Sequence, residues 1–240
     1  MNVLFIDIAV YEHPLLPRHR TIHRLRRIAS DEITERITHI PLAGGKIAIA
    51  RGLLLLASAI RLQGGNVEYV HFSRETPESL SAALRRADAL CLYSMTPTAP
   101  ICLQLAESAK AVKEDMYVAI GGPHAESQAK ELLDSRVVDF VCFGDTRPAL
   151  LAQAILDLDS CGTCPGIAFR DRKGNIHVNP VSRDSERDAQ ESVDYNLLPY
   201  SLDQYYFNLS ASQGCAYSCT FCSDGIWQPC ISTVIIQLVP

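Results

Sequence analysis

Three cysteines, Cys215, Cys219 and Cys222, stand at C-x3-C-x2-C spacing in "QGCAYSCTFCS" (213–223). Three thiolates on one tight loop can converge on a single inorganic centre, whereas a disulfide would use only two of them. The N-terminal stretch "MNVLFIDIAVYEHP" has no positively charged n-region, and Asp7 and Pro14 interrupt its apolar run. Neither a secretory signal nor a membrane span is expected from it, so a cytoplasmic setting with reduced thiols is the expectation. There, clustered cysteines point to metal rather than to cross-links. A closed structural zinc site takes four ligands, usually as two C-x2-C knuckles, while a [4Fe–4S] cluster takes one thiolate per iron. Three cysteines leave one iron open to a small molecule, which is the difference between a catalytic and a structural metal site.

At these residues the sequence resembles the radical S-adenosylmethionine (SAM) enzymes, whose signature is C-x3-C-x2-C with an aromatic just before the third cysteine, here Phe221. The resemblance implies that Cys215, Cys219 and Cys222 ligate the [4Fe–4S] cluster and that Phe221 packs near the adenine of SAM. In that family the open iron chelates the amino and carboxylate groups of SAM, and an electron donor such as a flavodoxin or ferredoxin is implied as partner. Read without the resemblance, Phe221 is equally a core aromatic.

The elements that must position such a loop follow from periodicity. The chain has 240 residues, 48% of them hydrophobic and 20% charged, with formal net charge −5, an ordinary globular composition long enough for one domain and part of another. An acidic balance gives no reason to expect nucleic acid. The one basic stretch, Arg18 to Arg27, reads as a solvated face rather than a phosphate-binding patch. From residue 1 to about 159, apolar β-branched runs alternate with helical ones. Strands are expected at 2–8, 67–72, 89–95, 116–122 and 137–143, and helices at 47–63, 77–86, 98–114, 125–134 and 147–157. Strands this apolar, separated by helices, predict an α/β fold with a five-stranded, doubly wound parallel sheet of flavodoxin type covered on both faces.

In such sheets ligands bind beyond the strand C-termini, where four loops collect here: 7–10, "SMTPT" (94–98), "GGPHA" (121–125) and "GDT" (144–146). Small and hydroxylic residues there allow a bulky ligand to approach backbone N–H groups at helix starts. No G-x-G-x-x-G follows the first strand, which weakens a dinucleotide reading. The segment also resembles the cobalamin-binding domain that precedes the radical SAM barrel in one branch of that superfamily. Ser94, Met95, Thr96, Pro97 and Thr98 carry the likeness together with Gly121, Gly122, Pro123 and His124, and "RGLLLLASAIRLQGGNVEYV" (51–70) adds to it. It implies that Ser94, Met95, Thr96, Thr98, Gly121, Gly122, His124 and Gly144 contact cobalamin, with the 94–98 loop and the glycine pair flanking its nucleotide tail. There is no D-x-H-x-x-G after the first strand, so cobalt is expected to have no protein imidazole below it. "GDTRP" (144–148) replaces the G-E-x-E common in that branch. By itself, His124 reads either as a ligand contact or as a cap of the following helix.

Residues 160–204 read as a connector, with a β-hairpin at 166–180 turning at Lys173, Gly174 and Asn175. The pair Cys161 and Cys164 is a C-x2-C, but Pro165 and the hairpin follow it, so it reads as a plain loop rather than a redox or zinc motif. Cys91, Cys102 and Cys142 read as buried apolar residues. "YYFNLSAS" (205–212) fits a first barrel strand, and 205–240 the start of a radical SAM β/α barrel. Such a barrel needs further βα units, so a truncated or frame-disrupted product, or a domain fragment, inactive alone, is the expectation. The combined reading is a cobalamin-dependent radical SAM protein of methyltransferase-like or rearrangement type, acting on a small molecule that nothing in the sequence identifies. The alternatives are a non-catalytic corrinoid-binding module and a flavodoxin-like nucleotide binder with a zinc loop.

Overall fold

The computed structural model describes residues 1–8, 47–143, 146–171, 173–181, 192–207, 212–213, 219 and 232–233. Among them, β1 (Asn2–Asp7), β3 (Asn66–His71), β4 (Ala89–Tyr93), β5 (Tyr117–Gly121) and β6 (Phe140–Cys142) pair in parallel. Their spatial order, β3-β1-β4-β5-β6, is the flavodoxin-like winding. The expected parallel core is therefore present. The 166–180 hairpin is not a free connector, however: β7 (Ile167–Arg170) pairs antiparallel with β6, and β8 (Ile176–Val178) with β7, so the sheet has seven strands. The reason is local. Main-chain pairing of Ile167 with Cys142 and of Phe169 with Phe140 covers an edge of β6 that the parallel winding leaves open.

Side chains alternate across this sheet as a pleat requires. Leu4, Ile6, Leu90, Leu92, Val118 and Ile120 face one layer, formed by α2 (Pro77–Arg86), α3 (Ala99–Val112) and α4 (Pro123–Asp134). Val3, Phe5, Ala89, Cys91, Ala119 and Phe140 face the other, formed by α1 (Arg51–Leu62) and α5 (Pro148–Leu156). Phe5, Phe140, Leu90 and Ile101 are fully buried, each worth about 1.5–3 kcal/mol of transfer free energy. No helix among the described residues is long and apolar enough to cross a membrane.

Two boundaries depart from expectation. Helix α1 starts at Arg51, not at 47, because Ile47 and Ala48 (β2) pair in parallel with Tyr205 and Tyr206 (β9). The strand expected over 137–143 shortens to Phe140–Cys142. Helix α2 keeps its predicted limits because its entry is fully specified. The Thr76 hydroxyl accepts from the Ser79 N–H at 3.1 Å, the Ser79 hydroxyl accepts from the Thr76 N–H at 2.9 Å, and Pro77 opens the first turn. Replacing Thr76 by alanine is expected to cost about 1 kcal/mol, read as a lower melting temperature.

Candidate functional site

Each helix after a parallel strand begins at the C-terminal edge of the sheet, and the order of winding reverses between β1 and β4, where a crevice must open. The chain leaving β4 is bent by one side chain. The Thr98 hydroxyl accepts from the Met95 N–H at 3.0 Å and donates to the Met95 carbonyl at 3.1 Å, fixing 95–98 as a tight turn into α3. Thr98 and Ser94 are buried, while Thr96 is exposed.

The loop after β5 closes onto that turn. The Ser94 N–H donates to the Gly121 carbonyl at 2.7 Å, and the His124 N–H donates to the Ser94 carbonyl at 3.1 Å. Gly122 makes the approach possible. Its φ is +101°, and a Cβ there would sit 2.7 Å from the Ser94 carbonyl oxygen. His124 does not cap α4, since the N-cap is Gly122 and no side chain bonds there. Its Nδ1 instead stands 3.4 Å from Thr96 Oγ1, across the two loops. The structure thus brings Ser94, Met95, Thr96, Thr98, Gly121, Gly122 and His124 into one rim. Among the described residues, the Ser94 hydroxyl meets the thiol of Cys102, a weak partner, and has no other hydrogen bond. Helices α1, α3, α4 and α5 have no side-chain cap, so backbone N–H groups face the same edge. Gly144 lies outside the described residues.

Residues 43–153 match the family model of the B12 binding domain. The matched stretch, just under half of the chain, is similar to a B12 binding domain. The match takes in α1 to α4, the first part of α5 and β2 to β6, while the interior strand β1 comes from residues ahead of it. No curated protein matches the chain. Among solved structures, the chain is similar to the cobalamin-dependent S-adenosylmethionine radical enzyme OxsB with aqua-cobalamin and S-adenosylmethionine bound. That likeness has TM-score 0.63 and 14% identity, and covers 97% of this chain and 30% of that one. It is also similar to the radical S-adenosylmethionine methyltransferase TsrM from Kitasatospora setae with cobalamin and a [4Fe–4S] cluster bound, with TM-score 0.55, 13% identity, and coverage of 97% of this chain and 43% of that one. At these identities the likeness is one of fold, and the chain spans less than half the length of either neighbour.

A second polar group, unforeseen from the sequence, lies under the edge of the B12 binding domain. Asp7 ends β1 as a buried carboxylate that accepts from the Ala50 N–H at 3.0 Å and the Tyr69 hydroxyl at 2.8 Å. Burial pushes its pKa up to about 6, against the pull of those two donors. His71, ending β3, is fully buried with Nε2 3.1 Å from the Tyr205 hydroxyl and Nδ1 3.8 Å from Asp7 Oδ2. Burial, then the Arg74 guanidinium, lowers its pKa to about 4. His71 and Tyr205 are 134 residues apart. The only signal in sequence is an aspartate breaking an otherwise apolar strand.

Of the three cysteines at C-x3-C-x2-C spacing, Cys219 is exposed and not in a disulfide, while Cys215, Cys222 and Phe221 lie outside the described residues. Ser212 and Gln213 (β10) pair antiparallel with Ser232 and Thr233 (β11), the two strands lying on either side of the three cysteines in sequence. Of the cysteines expected as buried apolar residues, Cys91 and Cys102 are buried and Cys142 is half-buried, while Cys161 and Cys164, expected as a plain loop, turn inward as well. Burial pushes the thiols of Cys102 and Cys164 up to about 12. No group of three or more His, Cys, Asp or Glu among the described residues is arranged to hold a metal.

Proposed function

We propose that the B12 binding domain takes cobalamin in the crevice rimmed by residues 94–98 and 121–125, and that Cys215, Cys219 and Cys222 hold a [4Fe–4S] cluster with SAM on its open iron. The whole protein is then a cobalamin-dependent radical SAM enzyme of methyltransferase-like or rearrangement type, acting on a small molecule in a reducing cytoplasm and fed by a one-electron donor such as a flavodoxin or ferredoxin. The observation that carries the reading is the coincidence of the family match over 43–153 with a rim at the sheet's winding reversal. Bound cobalamin supplies a methyl-carrying or one-electron cobalt centre, and the cluster supplies the electron that cleaves SAM.

The residues of the rim do the binding and orienting. Gly122 lets the two loops close, Ser94 offers a buried hydroxyl that lacks a strong partner, and Thr96 with His124 presents polar atoms at the outer lip. His71 is unsuited to ligate cobalt because its Nε2 is engaged by Tyr205 and the ring is buried. Titration of the chain with hydroxocobalamin, followed in the visible, is expected to show binding, and the cobalt(II) spin spectrum no splitting from a histidine nitrogen. His124→Ala is expected to weaken binding by no more than about 1 kcal/mol, one hydrogen bond at a wet rim. Absence of cobalamin binding, with tight FMN binding in its place, would favour the flavodoxin-like alternative. Because the family match ends at residue 153, ahead of the cysteines, a corrinoid-binding module without chemistry of its own is the second reading. Because the chain is expected to be inactive alone, incorporation of iron and acid-labile sulfide on anaerobic reconstitution, rather than SAM cleavage, separates the two.

A further inference from the structure

The stretch 192–207 leads toward the cysteine segment, and among the described residues it packs on the B12 binding domain. Leu198 and Tyr205 join the core layer of α1 and α5, Arg61 pairs with Asp194 at 3.0 Å, and Ser58 accepts from the Asp194 N–H at 2.8 Å. These contacts are ordinary docking. The contact at Tyr205 differs, because it is made to a polar group with an unsatisfied atom. His71 Nδ1 is buried and has no hydrogen-bond partner among the described residues, although a carboxylate oxygen stands 3.8 Å away. Such an atom is costly unless the arrangement serves something.

We propose that Asp7, His71 and Tyr205 form a proton-responsive latch that holds the chain leading to the cysteine loop on the C-terminal edge of the B12 binding domain. With Asp7 ionised, the favoured tautomer puts the proton on Nδ1, directed toward the carboxylate, and leaves Nε2 to accept from the Tyr205 hydroxyl. Every element packed on His71 contributes to its surroundings: Asp7 from β1, Tyr69 from its own strand, Tyr205 from β9, Tyr200 stacked at 6.2 Å, and Arg74 from the turn after β3. Arg74 also stands 5.9 Å from the Tyr200 ring, so the cation that opposes charging of His71 packs against the docked segment.

The two titrations act in opposite senses. His71, lowered to about 4 when docked and returning toward 6.5 when released, favours release as pH falls below 6.5. Between pH 8 and pH 5 this alone amounts to about 30-fold. Asp7, raised to about 6 when docked and falling toward 3.8 if released into water, takes up a proton on docking and favours docking as pH falls. Its full effect over the same interval is about tenfold. Wild type is then nearly balanced, opening only a few-fold in acid, and each single replacement unmasks the other partner. The latch involves neither cofactor, so its fate is independent of the proposed function.

The test is hydrogen exchange of the amides of residues 204–206 in the full chain, corrected for the intrinsic rate, at pH 8 and pH 5. Asp7→Asn, which retains an acceptor for Ala50 and Tyr69, is expected to lose about 30-fold of protection in acid. His71→Gln is expected to lose none and to gain up to about tenfold. Tyr205→Phe, which keeps the ring and drops the hydroxyl, is expected to lose about fivefold at either pH. The same pH dependence in wild type, Asp7→Asn and His71→Gln overturns the proposal, as does unchanged protection in Tyr205→Phe.

Discussion

Anaerobic reconstitution with iron and sulfide is expected to give a brown, oxygen-sensitive protein holding about four irons and four sulfides per chain, and the Cys215→Ala, Cys219→Ala, Cys222→Ala triple variant is expected to hold none. The effect is all-or-none because the remaining thiols are poor substitutes. Ligation needs thiolate, and burial keeps Cys91, Cys102, Cys142 and Cys164 protonated well above neutral pH. Replacing both Cys161 and Cys164 by serine is accordingly expected to leave the iron content unchanged, although stability falls because two buried groups become more polar. Iron, sulfide and zinc analysis of the three proteins decides the matter. One zinc per chain without acid-labile sulfide would support the zinc-loop alternative and sink the radical SAM reading.

Gly122→Val is expected to abolish cobalamin binding and to destabilise the domain by about 3 kcal/mol or more, whereas Gly121→Ala is expected to be tolerated within about 1 kcal/mol. The two glycines are neighbours, yet their surroundings differ. At Gly122 a β-branched side chain meets both an unfavourable φ of +101° and a backbone oxygen 2.7 Å from its Cβ, and neither can give way without separating the 94–98 and 121–125 loops. At Gly121 a Cβ would meet, among the described residues, the Cys142 Cβ at 3.4 Å, an ordinary packing distance. A valine at Gly122 therefore acts through the protein's own rim rather than by filling ligand space. Denaturant unfolding and visible titration on the same samples test this. Unaltered stability and affinity in Gly122→Val would show that closure of the two loops is not what forms the site.

The parallel core was legible because local signals agreed with one another. Apolar runs of strand length separated by amphipathic helices with Gly and Pro punctuation admit few packings, and β1, β3, β4 and α2 fall close to where periodicity places them. The rim was legible for a related reason. In a doubly wound sheet every residue just past a strand lies on one edge, so strand assignment alone brings residues 94–98 and 121–125 together. The C-x3-C-x2-C spacing suggests a cluster from a dozen consecutive residues alone, an expectation that reconstitution tests.

What only the tertiary structure decided depends on partners distant in the chain. Ile47 and Ala48 read as helix and become strand because Tyr205 and Tyr206 offer a ladder. The 166–180 hairpin reads as a connector and becomes sheet because β6 has an open edge. The role of Gly122 depends on where the Ser94 carbonyl lies, which no periodicity encodes. The Asp7, His71 and Tyr205 group is the strongest case. Burial and Arg74 lower the His71 pKa, burial raises that of Asp7, and the hydrogen bond of His71 spans 134 residues. Composition and spacing specify which segments are apolar enough to pack together. The low dielectric between them, which sets protonation and the cost of an unpaired nitrogen, exists only once they have packed.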